Sequence, residues 1–250
     1  LPVLGSPVLS DCANTTPMTG LKERLGRPLR LGIVGGGPDS WIGRMHRGGA
    51  EFDGWWRVCA GVFSSDPARS RAAGPLFGVD AARSYGTVDE MLSAEAQRAD
   101  GIEAVAIMTP NDTHYPYAAA ALDAGLDVVC DKPITETHAQ ALDLVARVKR
   151  SQRLFAIAHG YSAYPVIRHA RQLVREGAIG AVRLVQVEYI QSGMATRLED
   201  GPQTNRTRLA TLAGPGSVLA AFGFALAAVV QLWQLPAGAS LLDHMYTWIH

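Results

Sequence analysis

The sequence predicts an α/β fold whose first part is a doubly wound parallel sheet. Two observations carry that expectation. From residue 29 onward the apolar residues come in short continuous blocks rather than in alternation, and helix-length segments with apolar positions every three to four residues separate them. A strand that is apolar throughout is covered on both faces, and strands of that kind alternating with helices build a parallel sheet.

The first block is "LRLGIV" (29–34), followed by the helical stretch "DSWIGRMHRGGAEF". Next come "VCAGVF" (58–63) with "DPARSRAAGPLFG", "AVAIMT" (104–109) with "HYPYAAAALDAG", and "DVVC" (127–130) with "THAQALDLVARVKRS". "LFAIAH" (154–159) closes the series. Residues 1–28 form a tail without a basic start or a long apolar stretch, a poor signal peptide, and Met18 is a plausible native start.

Composition bounds the function. The chain has 250 residues, 48% of them hydrophobic, enough for a real core, and its 23 basic and 23 acidic residues cancel. No block of like charge points to nucleic acid or to an anionic membrane, so a small, weakly charged ligand is expected. Cys12, Cys59 and Cys130 form no CxxC pair, which makes the cytoplasm the default location, and no metal site is expected.

Ligands of parallel sheets bind at the carboxyl ends of the strands. Here four such ends carry unusual residues. "GIVGGGPDSWIG" (32–43) places Gly35, Gly36 and Gly37 between a strand and a helix, which suits close approach of backbone to a pyrophosphate or an ordinary glycine-rich turn. A strict G-x-G-x-x-G would need glycine at 40, where Ser40 stands; the next is Gly43. At the second end Ser64 and Ser65 occupy the place of the usual ribose-binding acid, and Asp66 is read as the cap of the helix starting at Pro67. Serine there does not repel a 2'-phosphate, so NAD and NADP both stay open. At the third, Thr109, Pro110 and Asn111 close the strand; Asp112 or Thr113 could cap the next helix, and His114 could be a helix-face residue. At the fourth, "DKPIT" (131–135) presents Asp131 and Lys132, either a surface ion pair or a cation poised to hydrogen-bond a substrate hydroxyl.

In their order and spacing, "GIVGGG", "VAIMTPNDTH", "ALDAGLDVVCDKPIT" and "EGAIGAVRLVQVEY" closely resemble the Gfo/Idh/MocA oxidoreductases, the family of glucose-fructose oxidoreductase and inositol dehydrogenase. The resemblance implies a Rossmann NAD(P)-binding domain at 29–159, then an α+β substrate and oligomerisation domain at 160–250. It implies hydride transfer between nicotinamide and a secondary alcohol of a sugar or polyol, with Lys132 catalytic. Gly35, Gly37, Ser64, Thr109, Asn111, His114 and Asp131 would neighbour the cofactor, and His159, Tyr161 and Tyr164 the substrate. A homo-oligomer through the C-terminal sheet is a further implication.

The chain also departs from that family. Relatives carry an Asp and a His four residues apart in a "GDxGxHA" segment; the nearest match, "AAFGFAL" (220–226), has Ala221 and Ala225 there. Proton handling would then fall to Lys132 with Tyr161 or His159. Residues 209–242 hold no charged side chain, yet Gln231, Gln234 and the many small residues favour a buried helix over a membrane span. Only "VRLVQVEY" (182–189) and the final "LLDHMYTWIH" read as strands of the second domain, so that α+β domain is expected to be incomplete.

Overall fold

The computed structural model describes residues 25–184 and Gln186. The chain divides into two compact units between Ala158 and His159. In the first, strands β1 (Leu29–Gly35), β2 (Trp56–Val62), β3 (Ala104–Met108), β4 (Asp127–Cys130) and β5 (Phe155–Ile157) form one sheet in the order β2-β1-β3-β4-β5. Every pairing is parallel. The chain winds outward from β1 to β2, returns to β3 on the other side of β1, and continues away from it. The β1–β3 boundary is therefore the switch point, where a crevice opens beyond the strand ends.

Helices α1 (Trp41–Glu51), α2 (Pro67–Ala73), α3 (Val88–Ala96), α4 (His114–Asp123) and α5 (His138–Ser151) flank the sheet. The continuous apolar strands are explained by the two cores that they separate. Leu31, Ile33, Ala104, Ala106 and Met108 pack on one face with Ile42 and Ala50 of α1 and Ala73 of α2. Val34, Val105 and Ile107 pack on the other with Met91, Leu122 and Leu144 of α3, α4 and α5. Alternate side chains of β1 and β3 thus enter opposite cores, and the buried part of each strand, residues 31–34 and Ala104–Met108, carries no polar side chain.

Local chemistry sets the helix starts. Ser40, Asp66, Thr87 and Thr137 each accept a backbone N–H from three residues on, and Gln140 completes a capping box with Thr137. Asp66 is the expected cap, followed by Pro67 at the first helical position. The expected helix 66–78 is shorter: α2 ends at Ala73 and a 3-10 turn, Gly74–Phe77, follows. Behind α3, Arg83 pairs with Glu95, whose carboxylate also accepts the Tyr85 hydroxyl at 2.8 Å and the Ile102 N–H at 3.1 Å. That buried charge is fully partnered, the condition for tolerating it.

In the second unit, a 3-10 turn (Gly160–Ala163) leads into α6 (Pro165–Arg175). The apolar segment 209–242, Ala221 and Ala225, the tail before residue 25, the closing strand-like run, and residues 185 and 187–189 of the expected strand 182–189 lie outside the described residues; Val182, Arg183, Leu184 and Gln186 are described and are not in a strand. Among the described residues no helix is long and apolar enough to cross a membrane.

Candidate functional site

The strand register brings the loops of interest to one edge: Gly35 pairs with Met108, Ile107 with Cys130, and Cys130 with Ile157. Gly35 and Gly36 have φ of +92° and +65°, the left-handed region in which a side chain is strained. Gly37 runs against the end of β2, where a Cβ would stand 2.6 Å from the Phe63 carbonyl oxygen. The third glycine of the fingerprint is displaced rather than lost. Ser40 caps α1, while Gly43, in the first turn, lies so near the loop that its Cβ would be 2.6 Å from the Gly36 Cα. Gly43 supplies the close helix–strand packing that the fingerprint assigns to its last glycine. The spacing had hidden it, because "PDS" lengthens the loop by three residues.

Beside this loop opens a cleft of about 320 Å³, lined by Gly37, Asp39, Ser40, Ser64, Arg69 and Leu76 among others. Ser64 is half-buried there, whereas Ser65 is exposed and is not among the lining residues. Asp66 is occupied in capping α2. Arg47 of α1 donates to the Gly36 carbonyl and lies 3.6 Å over the Phe77 ring, fixing the loop from behind. Burial holds its guanidinium below the usual arginine value.

The β3 and β4 ends meet on the other side of the switch point. Thr113 reaches the Thr109 hydroxyl at 2.8 Å and donates to the Pro110 carbonyl at 2.7 Å, so it secures the β3 loop rather than capping α4. Asn111 is half-buried and Pro110 exposed on that loop. His114, expected beside a cofactor or on a helix face, is buried, with its ring nitrogens on the Thr109 and Pro133 carbonyls. The Asp131 N–H extends the β4 pairing to the Ile107 carbonyl at 2.8 Å, and its carboxylate accepts the Lys132 N–H at 3.0 Å. Lys132 is half-buried at the mouth, and the bond to Pro133 is cis. His46 of α1 is a site neighbour that sequence reasoning missed. Burial pushes its imidazole down, against the opposing pull of the Asp131 charge. Behind them, burial raises the Cys130 thiol to about 12, which makes it an inert core residue.

His159, Tyr161 and Tyr164 belong to the second unit. The His159 carbonyl accepts the Ser162 N–H and hydroxyl, Tyr161 lies in the 3-10 turn, and Tyr164 is exposed at the start of α6. Among the described residues no cluster of His, Cys, Asp or Glu is placed to hold a metal.

The first unit fits a dinucleotide on its own geometry. A loop that opens on three glycines, Gly35, Gly36 and Gly37, passes over the switch point and through Pro38, Asp39 and Ser40 into the N-terminus of an eleven-residue helix with no acid in its first turn, an arrangement that suits a pyrophosphate. The cleft lined by Ser64 and Arg69 lies on one side and the Lys132 loop on the other. Fold and site together define a nucleotide-binding oxidoreductase domain.

The comparisons are specific. Residues 29–159, just over half of the chain, match the model of the Gfo/Idh/MocA oxidoreductase family with its NAD-binding Rossmann fold. The uncharacterized oxidoreductase YfiI of Bacillus subtilis is 36% identical over 200 residues, 78% of this chain and 50% of that protein. An inositol dehydrogenase homolog from Azotobacter vinelandii, solved with NAD+, superposes with a TM-score of 0.78 at 35% identity over 83% of this chain and 54% of the other. Another from the same organism, solved with NADH and myo-inositol, is 39% identical over 63% of this chain and 41% of that one, with a TM-score of 0.62. The chain belongs to the Gfo/Idh/MocA oxidoreductases. It spans about half the length of the curated relatives it matches.

Proposed function

We propose that this chain carries the cofactor half of an enzyme that moves hydride between nicotinamide and a secondary alcohol of a sugar or polyol. The observation that carries this reading is that the glycine loop after β1 and Lys132 after β4 lie at the same carboxyl edge of the sheet, with the Thr109 loop of β3 between them. Bound NAD(P) would supply the hydride acceptor or donor. Gly35, Gly36 and Gly37 would give the pyrophosphate a wall without side chains, with the first turn of α1 offering amides. Ser64 would meet the adenosine ribose, and Thr109, Pro110 and Asn111 the nicotinamide side of the crevice.

Lys132 would hydrogen-bond the substrate oxygen and stabilise the negative charge that it gathers as its proton departs. His159 or Tyr161, on the adjoining segment, are the candidates to take that proton. A myo-inositol-like polyol suits the expectation of a small uncharged ligand and is what one related structure contains.

A second reading is favoured by Ala221 and Ala225, where relatives would have an Asp–His pair. Losing a positioned acid and base costs typically 10²- to 10⁴-fold. The chain would then bind cofactor or sugar with little turnover. The test is a fluorescence titration with NADH and NADPH, followed by a sugar and polyol screen, with Lys132→Ala alongside. Saturable binding with turnover that Lys132→Ala abolishes supports the first reading, and binding without turnover the second. A folded chain that binds neither nucleotide defeats both and leaves a fragment with no activity of its own.

A further inference from the structure

Lys132 can serve the proposed reaction only if its loop stands at a fixed place, and what fixes it belongs to another element. His114 opens α4 and is only 1% exposed. Its Nδ1 lies 2.6 Å from the Pro133 carbonyl oxygen and its Nε2 2.8 Å from the Thr109 carbonyl oxygen. One acceptor follows Lys132 directly; the other begins the β3 loop with Asn111.

We infer that His114 is a positioning residue: its imidazole ties the loop bearing Lys132 to the loop bearing Thr109 and Asn111, and so sets the distance across the nicotinamide side of the crevice. This rests on the proposed function, for which Lys132 must meet the reacting hydroxyl. The contacts are not those of a histidine serving its own helix. Both carbonyls lie beyond strand ends, five and nineteen residues away in sequence, and both are at hydrogen-bonding distance. Backbone carbonyls at such a buried place need partners, and the His114 ring is placed between these two. The side chain is thereby removed from direct cofactor contact and acts through Lys132 and Thr109.

The test uses the whole chain and a probe on Lys132 itself. The sequence has three lysines, Lys22, Lys132 and Lys149, so reductive methylation with ¹³C-formaldehyde gives a sparse NMR spectrum in which Lys132→Arg assigns one signal. His114→Phe keeps the ring volume and removes the ring N–H donor that either neutral tautomer offers to one of the two carbonyls; His114→Gln keeps an amide donor. The expected result is a Lys132 signal shifted toward that of a mobile lysine in the Phe variant, substantially restored in the Gln variant, with Lys149 unmoved. NADH affinity should fall about tenfold in the Phe variant, the scale of one lost buried hydrogen bond. An unchanged Lys132 signal in a folded His114→Phe protein overturns the inference, as does a Gln variant as disturbed as the Phe one. Should Phe prevent folding, His114→Asn, whose shorter amide cannot span both carbonyls, takes its place with the same outcomes. The NMR readout needs no cofactor, so a wild-type chain that binds no NADH would defeat the functional reading while still testing the clamp.

Discussion

A methyl group on residue 43 would meet the Gly36 backbone, whereas one on residue 49 of the same helix has nothing within 4 Å. The pair separates helix propensity from close approach. Gly49→Ala should stabilise the protein by about 0.5–1 kcal/mol, the ordinary gain from replacing glycine inside a helix. Gly43→Ala should instead destabilise it by about 1–3 kcal/mol, the usual cost of overpacking, because the obstacle is backbone and cannot rotate away. It should also weaken NADH binding, since α1 can yield only by shifting the loop that would hold the pyrophosphate. Thermal unfolding and a fluorescence titration of both variants decide the matter. Equal behaviour of the two alanines would mean that Gly43 is an ordinary helix residue.

Strand ends, not helix faces, carried the sequence's information about the site. The glycine loop, the serines after β2, the Thr109 loop and the Lys132 loop were legible because a buried parallel strand must end abruptly, and polar residues there stand out against its apolar run. Helix α3 was not anticipated, and its buried face explains why. Val88 and Met91 follow the helical period, but its next buried position is Glu95, a charge made tolerable by Arg83, Tyr85 and the Ile102 amide. No local pattern could reveal such partners, and the same holds for the two carbonyls on His114.

A similar distant contact ties two strands at their amino ends. Glu103, just before β3, accepts from Arg27 at 2.8 and 2.9 Å and from the Arg30 N–H of β1 at 2.9 Å. The Arg27 hydrogen bond above all holds the Glu103 carboxyl at about 2 rather than the ordinary 4.5. A depressed carboxylate contributes stability that is present above its unfolded value and lost as pH falls toward the folded one. Glu103→Gln should therefore lower the unfolding midpoint at pH 7, with the difference from wild type shrinking between pH 4.5 and 2. A difference that does not change with pH would show that the loss was steric rather than ionic. Because the partners are partly exposed, salt should also reduce the effect.

At the scale of the molecule, two units with different content share one chain. The first has a sheet covered on both faces and a cleft for a nucleotide; the second, as far as it is described, has an α6 with no buried residue. A ligand that binds only the folded first unit stabilises it by RT ln(1 + [L]/Kd), about 2.7 kcal/mol at a concentration one hundred times Kd. For a unit of this size that corresponds to a rise of roughly 10 °C in unfolding midpoint. NADH at saturation should therefore raise the transition of the first unit by about this amount, and Gly37→Val, which sets a side chain against the Phe63 carbonyl, should abolish the rise. Comparing NADPH at equal concentration then reads the cleft's choice of nucleotide. Ser64 does not repel a 2'-phosphate, while Asp39 and Arg69 bring opposite charges to the same lining. If Arg69 governs the cleft, NADPH protects at least as well and Arg69→Ala removes that advantage. If Asp39 governs it, NADH protects better and Asp39→Asn narrows the gap. No shift with either nucleotide, in a protein that unfolds cooperatively, would refute cofactor binding by this chain.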